Sequence, residues 1–300
     1  MRYSPTLKQF RYLVALNKVG HFSQAAESCG VTQSTLSAGL KEMEALLGVT
    51  LVERSRRHVL FTPIGEVVVR RAKAILADVD NLLDTVTESF STISGRIRLG
   101  IIPTIAPWLL GRMMPAVRRQ LTDVSFDLLE DKSAVLCQRL NEGELDLVLY
   151  ALPYTCEGVE ELPLFKDPFV GVWPSGHAPT TPTIRMEDLA AETVLLLEEG
   201  HCLKDHALSA CQLVGHQRVE ARGTSLATIV EMVAGGAGMT LLPSLAVQGG
   251  LAKRPELECR EFIEPRPSRT VGLIWRSSSP RADTFRTLGA IIKDIVVAQA

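Results

Sequence analysis

Residues 7–48 read LKQFRYLVALNKVGHFSQAAESCGVTQSTLSAGLKEMEALLG, and their apolar spacing decides how the first part of the chain folds. Leu7, Phe10, Leu13, Val14 and Leu16 recur at helical intervals, which predicts a helix over residues 7–19 that Gly20 ends. Ser23 is placed to cap a second helix, with Ala25, Ala26 and Cys29 on its inner face. Gly30 and Val31 make a short turn. Thr32 then caps a third helix, Gln33 to Leu47, with Leu36, Leu40, Met43 and Leu47 inward and Gly48 closing it. Two short helices joined by a tight turn containing glycine form a helix-turn-helix. Thr32, Gln33, Ser34, Thr35 and Ser37 point outward at the start of the third helix, and with Ser23 they are the expected DNA-binding residues. Short hydrogen-bonding side chains of this kind suit base edges and phosphates in a major groove.

Val49–Glu53 and His58–Thr62 have the character of two strands around Arg54, Ser55, Arg56 and Arg57, a basic wing placed to hold phosphates. The overall charge of −2 conceals an asymmetry: residues 1–73 hold 11 Lys/Arg against 5 Asp/Glu, and the remainder holds 21 against 29. A small helical domain with a solvated polar face would explain the helices alone. Motif, wing and local charge together favour double-stranded DNA as partner of the first part only. Pro63 suits the first turn of a further helix, in which Val68, Ala72, Ile75, Val79, Leu82 and Val86 recur at spacings of four and three. That alternation is a heptad seam and predicts a dimerising helix; the alternative is a helix packed on its own domain. The Ser/Thr-rich stretch Ser89–Gly95 follows as a linker.

From Arg96 strands alternate with helices, the pattern of a parallel α/β unit. Strands are expected at 97–102, 124–129 and 145–149, with helices at 107–120 and 133–141. Leu162–Trp173 is strand-like, and a second unit spans Asp188–Gly250. Thr270–Arg276 and Arg281–Val297 supply a late strand and helix that return to the first. The expected fold is therefore α/β overall. A winged helix-turn-helix occupies residues 1–62 and a linker helix residues 63–92. Residues 93–300 form a two-lobed effector domain, with lobes of about 96–165 plus 267–300 and 166–266. Its cleft is the usual place for a small-molecule site. Gly235, Gly236 and Gly238 do not make a phosphate loop, because they follow a helix and precede a strand. No hydrolase signature, zinc-type Cys/His spacing or CxxC pair is present, so no cofactor or metal is expected. No apolar run reaches the length of a membrane span and no secretion signal opens the chain. Six irregularly spaced cysteines then point to free thiols in a reducing cytoplasm.

The stretch Leu195–Cys211 carries the chemistry. Leu195, Leu196 and Leu197 read as a short buried strand broken by Glu198, Glu199 and Gly200. A polar cluster of His201, Cys202, Lys204, Asp205 and His206 follows, then a helical pattern of Leu203, Ala207 and Leu208. Cys202 sits near a helix start, where amide N–H groups, Lys204 and His201 favour a thiolate. Cys211 lies nine residues on, about 13.5 Å away if the span is one helix. A disulfide needs Cα atoms roughly 4.4–6.8 Å apart, so the two pair only if the helix melts or is discontinuous. A reactive thiol with a partner reached by refolding is a redox switch; two ordinary buried cysteines are the other reading.

The first ninety residues resemble the LysR-type transcriptional regulators. The matching residues are Leu13-Val14-Ala15, His21-Phe22-Ser23-Gln24-Ala25-Ala26, Thr32-Gln33-Ser34-Thr35-Leu36-Ser37, Leu47-Gly48-Val49, Leu51-Val52-Glu53-Arg54 and Phe61-Thr62-Pro63-Ile64-Gly65. The remainder is similar to the family's two-lobed, periplasmic-binding-protein-like effector domain. Ile102-Pro103-Thr104, the run Leu197–Asp205 with Cys211 after it, and Thr224-Ser225-Leu226 resemble the family's hydrogen peroxide sensors. The resemblance implies that Cys202 is the peroxidatic cysteine and Cys211 the resolving one. It implies that Thr104, Ser133, His201, Lys204, Asp205 and Arg276 lie around the peroxide. Lys204, His206 and Ser133 stand where the pattern has Arg, Gln and Thr. It also implies a dimer of dimers on promoter DNA, whose oxidised form recruits RNA polymerase to antioxidant genes. Cys29, Cys137, Cys156 and Cys259 are taken as structural.

Two rivals remain. One is a regulator of the same family that answers a small organic ligand in the cleft, its cysteines inert. The other is a thiol peroxidase fused to a DNA-binding domain, which would need a dedicated reductant and fast turnover; the chain is expected not to be an enzyme. The seam makes its own prediction. Val79→Glu buries an unpaired charge and is expected to shift the protein toward monomer in sedimentation; unchanged assembly would mean that the helix faces its own domain.

Overall fold

The computed structural model describes residues 4–54, 59–87, 94–190, 192–197, 203, 206–207, 218–220 and 225–297. The chain divides into two compact units, one built mainly on residues 1–90 and the other mainly on 91–300.

In the first unit α1 (Leu7–Val19), α2 (Phe22–Ser28) and α3 (Gln33–Leu47) form where the apolar spacing places them. Thr6 and Gln9 make a reciprocal capping box at the start of α1. Gly20 and Gly48 end α1 and α3 in the left-handed conformation that glycine adopts without steric cost. Leu13, Leu16, Leu36, Leu40 and Met43 are fully buried and form the core of the unit. Two expectations fail locally. Leu47 is exposed, because the last turn of α3 runs past the core. Ser23 does not cap α2; His21 holds that position without a side-chain bond, and Ser23 lies one residue inside the helix.

Strands β1 (Val52–Arg54) and β2 (Val59–Phe61) pair antiparallel, with Val52 opposite Phe61. Thr62 ties this wing to α4 (Pro63–Thr87): its hydroxyl donates to the Thr50 carbonyl at 2.8 Å and accepts the Gly65 N–H at 3.0 Å. Along α4, Val69 and Ala72 are buried and Val68 packs on the core of the unit. Farther on, the seam residues Ile75 and Leu82 are 40% and 61% exposed. Only the first part of the apolar stripe is thus consumed within the unit.

The second unit is a ten-stranded sheet with the order β4-β3-β5-β12-β6-β10-β8-β9, with β11 paired to β6 and β7 paired to β11. Its strands are β3 (Gly95–Ile101), β4 (Val124–Glu130), β5 (Leu147–Leu152), β6 (Val159–Pro174), β7 (Thr183–Ile184), β8 (Val194–Leu196), β9 (Arg218–Glu220), β10 (Met239–Pro243), β11 (Leu257–Phe262) and β12 (Ser268–Arg276). Helices α5 (Ala106–Gln120), α6 (Ser133–Asn141), α7 (Leu226–Ala234), α8 (Ser244–Gln248) and α9 (Ala282–Val297) cover them. β3, β4 and β5 are parallel, as are β8, β9 and β10. β6 and β12 run antiparallel to their neighbours. Each parallel group has its own core, one around Leu99, Leu149 and Phe285, the other around Leu195, Ile229 and Leu242. β6 belongs to both lobes: residues 159–168 pair with β12, and 169–174 pair with β10 and β11. Gly235, Gly236 and Gly238 close α7 and turn the chain into β10. Among the described residues no helix is long and apolar enough to cross a membrane.

Gly65 and Gly111 test how tightly this backbone is packed. A Cβ on Gly65 would meet the Leu51 carbonyl oxygen at 2.1 Å, whereas one on Gly111 meets nothing within 4 Å. Gly65→Ala is expected to destabilise the chain by about 1–3 kcal/mol through the shift it forces. Gly111→Ala, in the exposed interior of α5, is expected to stabilise it by about 0.5–1 kcal/mol. Denaturant titrations of the two variants check both signs.

Candidate functional site

The first candidate surface is the N-terminal end of α3. Ser23, Thr32, Gln33, Ser34 and Thr35 are exposed there, and Ser37 is half-buried. Ser23 donates its hydroxyl to the Gln33 side-chain oxygen at 2.9 Å, which leaves the amide nitrogen of Gln33 as a donor toward solvent. Thr32 accepts the Thr35 N–H at 3.2 Å and exchanges hydroxyl bonds with Ser34 and Thr35 at 2.9 and 2.8 Å. Its role here is the cap. The first turn of α3 carries no acidic residue, so the positive end of the helix dipole is uncompensated and favours phosphate. Arg56, Arg57 and the side chain of Arg54 lie outside the described residues.

The second candidate lies at the C-terminal ends of β3 and β4. Ile101 pairs with Glu130 across these parallel strands. Thr104 and Ser133 each follow three residues later, so the register brings the two hydroxyls to the same edge of the sheet. Ligands of open α/β sheets bind at this edge. A cleft of about 470 Å³ opens there, lined among others by Thr104, Trp108, Lys132 and Ser225. Thr104 and Ser133 are both buried. The Ser133 hydroxyl has no hydrogen-bond partner among the described residues. A buried hydroxyl left unpaired costs about 1–3 kcal/mol, which a small polar ligand would recover.

Thr104 is held by Arg269. The guanidinium donates to the Thr104 hydroxyl at 2.8 Å and to its carbonyl at 3.1 Å. It also pairs with Asp167, through Nε at 3.0 Å and Nη2 at 2.9 Å, and the two side chains are 0% and 2% exposed. The other Asp167 oxygen accepts the Leu245 N–H at 2.9 Å. Arg276, the arginine that the resemblance implies beside the peroxide, does not reach Thr104 in this structure. Arg276 donates to the carbonyls of Leu140 and Leu145 at 2.7 and 2.6 Å. It sits seven residues from Arg269 on one strand, about 23 Å away at the usual rise. The cause is strand direction. β12 runs antiparallel to β5, so its first residues, not its last, reach the end of the sheet where Thr104 lies.

His201, Cys202, Lys204, Asp205 and Cys211 lie outside the described residues. Of their stretch, Leu203 and Ala207 are buried in the core of the second lobe. His206 Nε2 lies 3.0 Å from the Pro153 carbonyl oxygen, a distance at which an N–H there donates to it. The expectation of free thiols needs a second correction: Cys137 on α6 and Cys156, after β5, are joined by a disulfide. Cys29 and Cys259 are free and half-buried, and burial pushes the Cys259 thiol up, away from the thiolate. Asp167, Arg269 and the cysteine pair are the features that sequence reasoning did not single out. β12 carries an arginine near each end, Arg269 and Arg276, and sequence alone offered no signal to choose between them.

Two family models match the chain. The bacterial regulatory helix-turn-helix protein, lysR family, covers residues 7–66, and the LysR substrate binding domain covers 91–295. The HTH-type transcriptional regulator EstR of Acinetobacter baylyi is 42% identical over 97% of this chain and 97% of that protein. The DNA-binding transcriptional dual regulator OxyR of Escherichia coli K12 is 37% identical over 96% and 94%. Full-length OxyR from Pseudomonas aeruginosa, a cysteine-to-aspartate variant, matches with a TM-score of 0.80 at 36% identity, over 97% of this chain and 95% of that one.

The buried pair generates a stability prediction. Asp167→Ala leaves the Arg269 charge uncompensated and is expected to cost about 3–5 kcal/mol. The double variant Asp167→Leu with Arg269→Met removes both charges and is expected to be more stable than Asp167→Ala alone. Urea denaturation of the three proteins measures the difference; a double variant weaker than the single one would overturn this account.

Proposed function

The chain belongs to the LysR family of transcriptional regulators, and from that premise we propose that it senses hydrogen peroxide through Cys202 and Cys211. The observation that carries the proposal is the pair of buried hydroxyls at one sheet edge. Thr104 is fixed by a buried arginine, and Ser133 is unpartnered. These are hydrogen-bonding groups of the size and polarity of one peroxide molecule. The relatives named OxyR support the same reading.

In the proposed chemistry the Cys202 thiolate attacks one peroxide oxygen. The O–O bond breaks, the leaving oxygen takes a proton, and water and a sulfenic acid result. The Cys211 thiol then displaces the hydroxyl as a second water and closes a disulfide. Thr104, positioned by Arg269, and Ser133 orient the peroxide, with His201, Lys204 and Asp205 beside the sulfur. The paired state repacks the effector domain and changes the spacing of the DNA-binding units. Gln33, Ser34 and Thr35 read base edges, with Ser23 setting the rotamer of Gln33. Arg54, Arg56 and Arg57 hold phosphates. The uncovered part of the α4 seam, Ile75 and Leu82, is the surface for a dimer, and two dimers occupy the promoter. The oxidised protein works in the cytoplasm with RNA polymerase to activate antioxidant genes.

A second reading rests on the cleft itself. Its volume of about 470 Å³ falls within the range of sites for organic ligands, and Trp108 gives it an apolar wall. That regulator would leave its cysteines unoxidised at stoichiometric peroxide.

Stopped-flow oxidation with thiol trapping and mass spectrometry separates the readings. Cys202→Ser is expected to abolish the response, because a hydroxyl keeps the packing but lacks the nucleophile. Cys211→Ser is expected to stall at the Cys202 sulfenic acid or to overoxidise. His201→Ala is expected to slow oxidation while DNA affinity in the reduced state stays unchanged. A Cys202→Ser protein that still activates transcription with peroxide would sink the proposal.

A further inference from the structure

The Cys137–Cys156 bond has no part in the scheme above. Its two ends nevertheless lie on the elements that build the candidate site. Cys137 is one helical turn beyond Ser133 on α6, on the same face at i, i+4. Cys156 is three residues beyond Pro153, whose carbonyl meets the imidazole of His206. The two Cα atoms are 5.9 Å apart, so the pair bonds without moving either element. Both residues are half-buried and not sealed in the core. A regulator that binds chromosomal DNA works where thiols keep disulfides transient. Disulfides present in that setting are usually redox-active and not fixed staples.

We propose that Cys137 and Cys156 form a second redox couple that answers the thiol–disulfide balance and clamps α6 to the 153–156 loop beside the sensing stretch. In the oxidising direction one cysteine thiolate attacks a low-molecular-weight disulfide. A mixed disulfide forms and one small thiolate leaves. The second cysteine thiolate then displaces the other. The protein loses two electrons and two protons, and the small disulfide becomes two thiols. A dithiol reverses the exchange. Reduction releases α6, which begins at Ser133, from the loop that His206 touches. The couple thereby sets how firmly the site is held, independently of any oxidation at Cys202.

The test uses the full-length Cys202→Ser, Cys211→Ser protein, so that failure of the peroxide mechanism leaves it readable. The protein is reduced with dithiothreitol, reoxidised with oxidised glutathione, alkylated and mapped by peptide mass spectrometry, with hydrogen exchange followed in parallel. The expected result is a 137–156 linkage that forms and is lost reversibly. With the linkage, exchange is severalfold slower in 133–141, 153–158 and 203–207. Cys137→Ser is expected to exchange like the reduced chain throughout. Full alkylation of both cysteines after oxidant would overturn the proposal. So would a linkage that survives dithiothreitol in the folded protein, or one that cycles with no change of exchange in 203–207.

Discussion

Arg269 carries a full positive charge into a place with no exposed side-chain surface, and the effector unit is arranged around making that tolerable. Removing a guanidinium from water costs several kcal/mol even after relaxation. Asp167 offsets the charge, and the Thr104 hydroxyl and carbonyl take further N–H groups. Asp167 in turn fixes the start of α8 through the Leu245 amide. One network thus joins β12, β6, the loop after β3 and the α8 turn. Its members must all be present together, because a half-satisfied set of buried charges is worse than an apolar core. The position of Thr104 follows from this constraint, and with it the geometry of the cleft.

A comparable economy governs the N-terminal end of α3. The Thr32 side chain is used by the helix cap, and the side-chain oxygen of Gln33 by Ser23. The polar groups that remain on this surface are therefore few and oriented in advance. Less side-chain entropy is lost when they dock. The same device appears in each unit: an inner partner holds a polar group in fixed geometry.

The helix-turn-helix was legible because its signals are local. Apolar residues at helical spacing, Thr32 before α3 and Gly20 and Gly48 after the helices need no tertiary information. Much of the effector unit was legible because buried strands read as unbroken apolar runs, as in Leu147–Leu152, where every residue is buried. β11 was not legible, since Leu-Glu-Cys-Arg-Glu-Phe gains its place from pairing with β6. The choice between Arg269 and Arg276 depended on the direction of β12, which alternation of apolar residues does not encode. The Cys137–Cys156 pair spans 19 residues and two elements, with no local mark on either cysteine. Ser133 and Thr104 were found through resemblance, and it is the register of β3 against β4 that explains why they lie together.

β6 runs for sixteen residues through both lobes and keeps ladder partners on either side of the junction. A pair of lobes joined by slack segments behaves as a jaw, and a weakly held ligand suffices to close it. Lobes that share one hydrogen-bonded ribbon behave as a beam. The ladder changes partners between Pro168 and Phe169, so a bend there would act on the Phe169 N–H bond to the Pro267 carbonyl and on the Arg269–Asp167 pair next to it. Any movement of one lobe against the other therefore runs through a buried ion pair that also holds Thr104, so the cleft wall and the lobe junction are mechanically the same place.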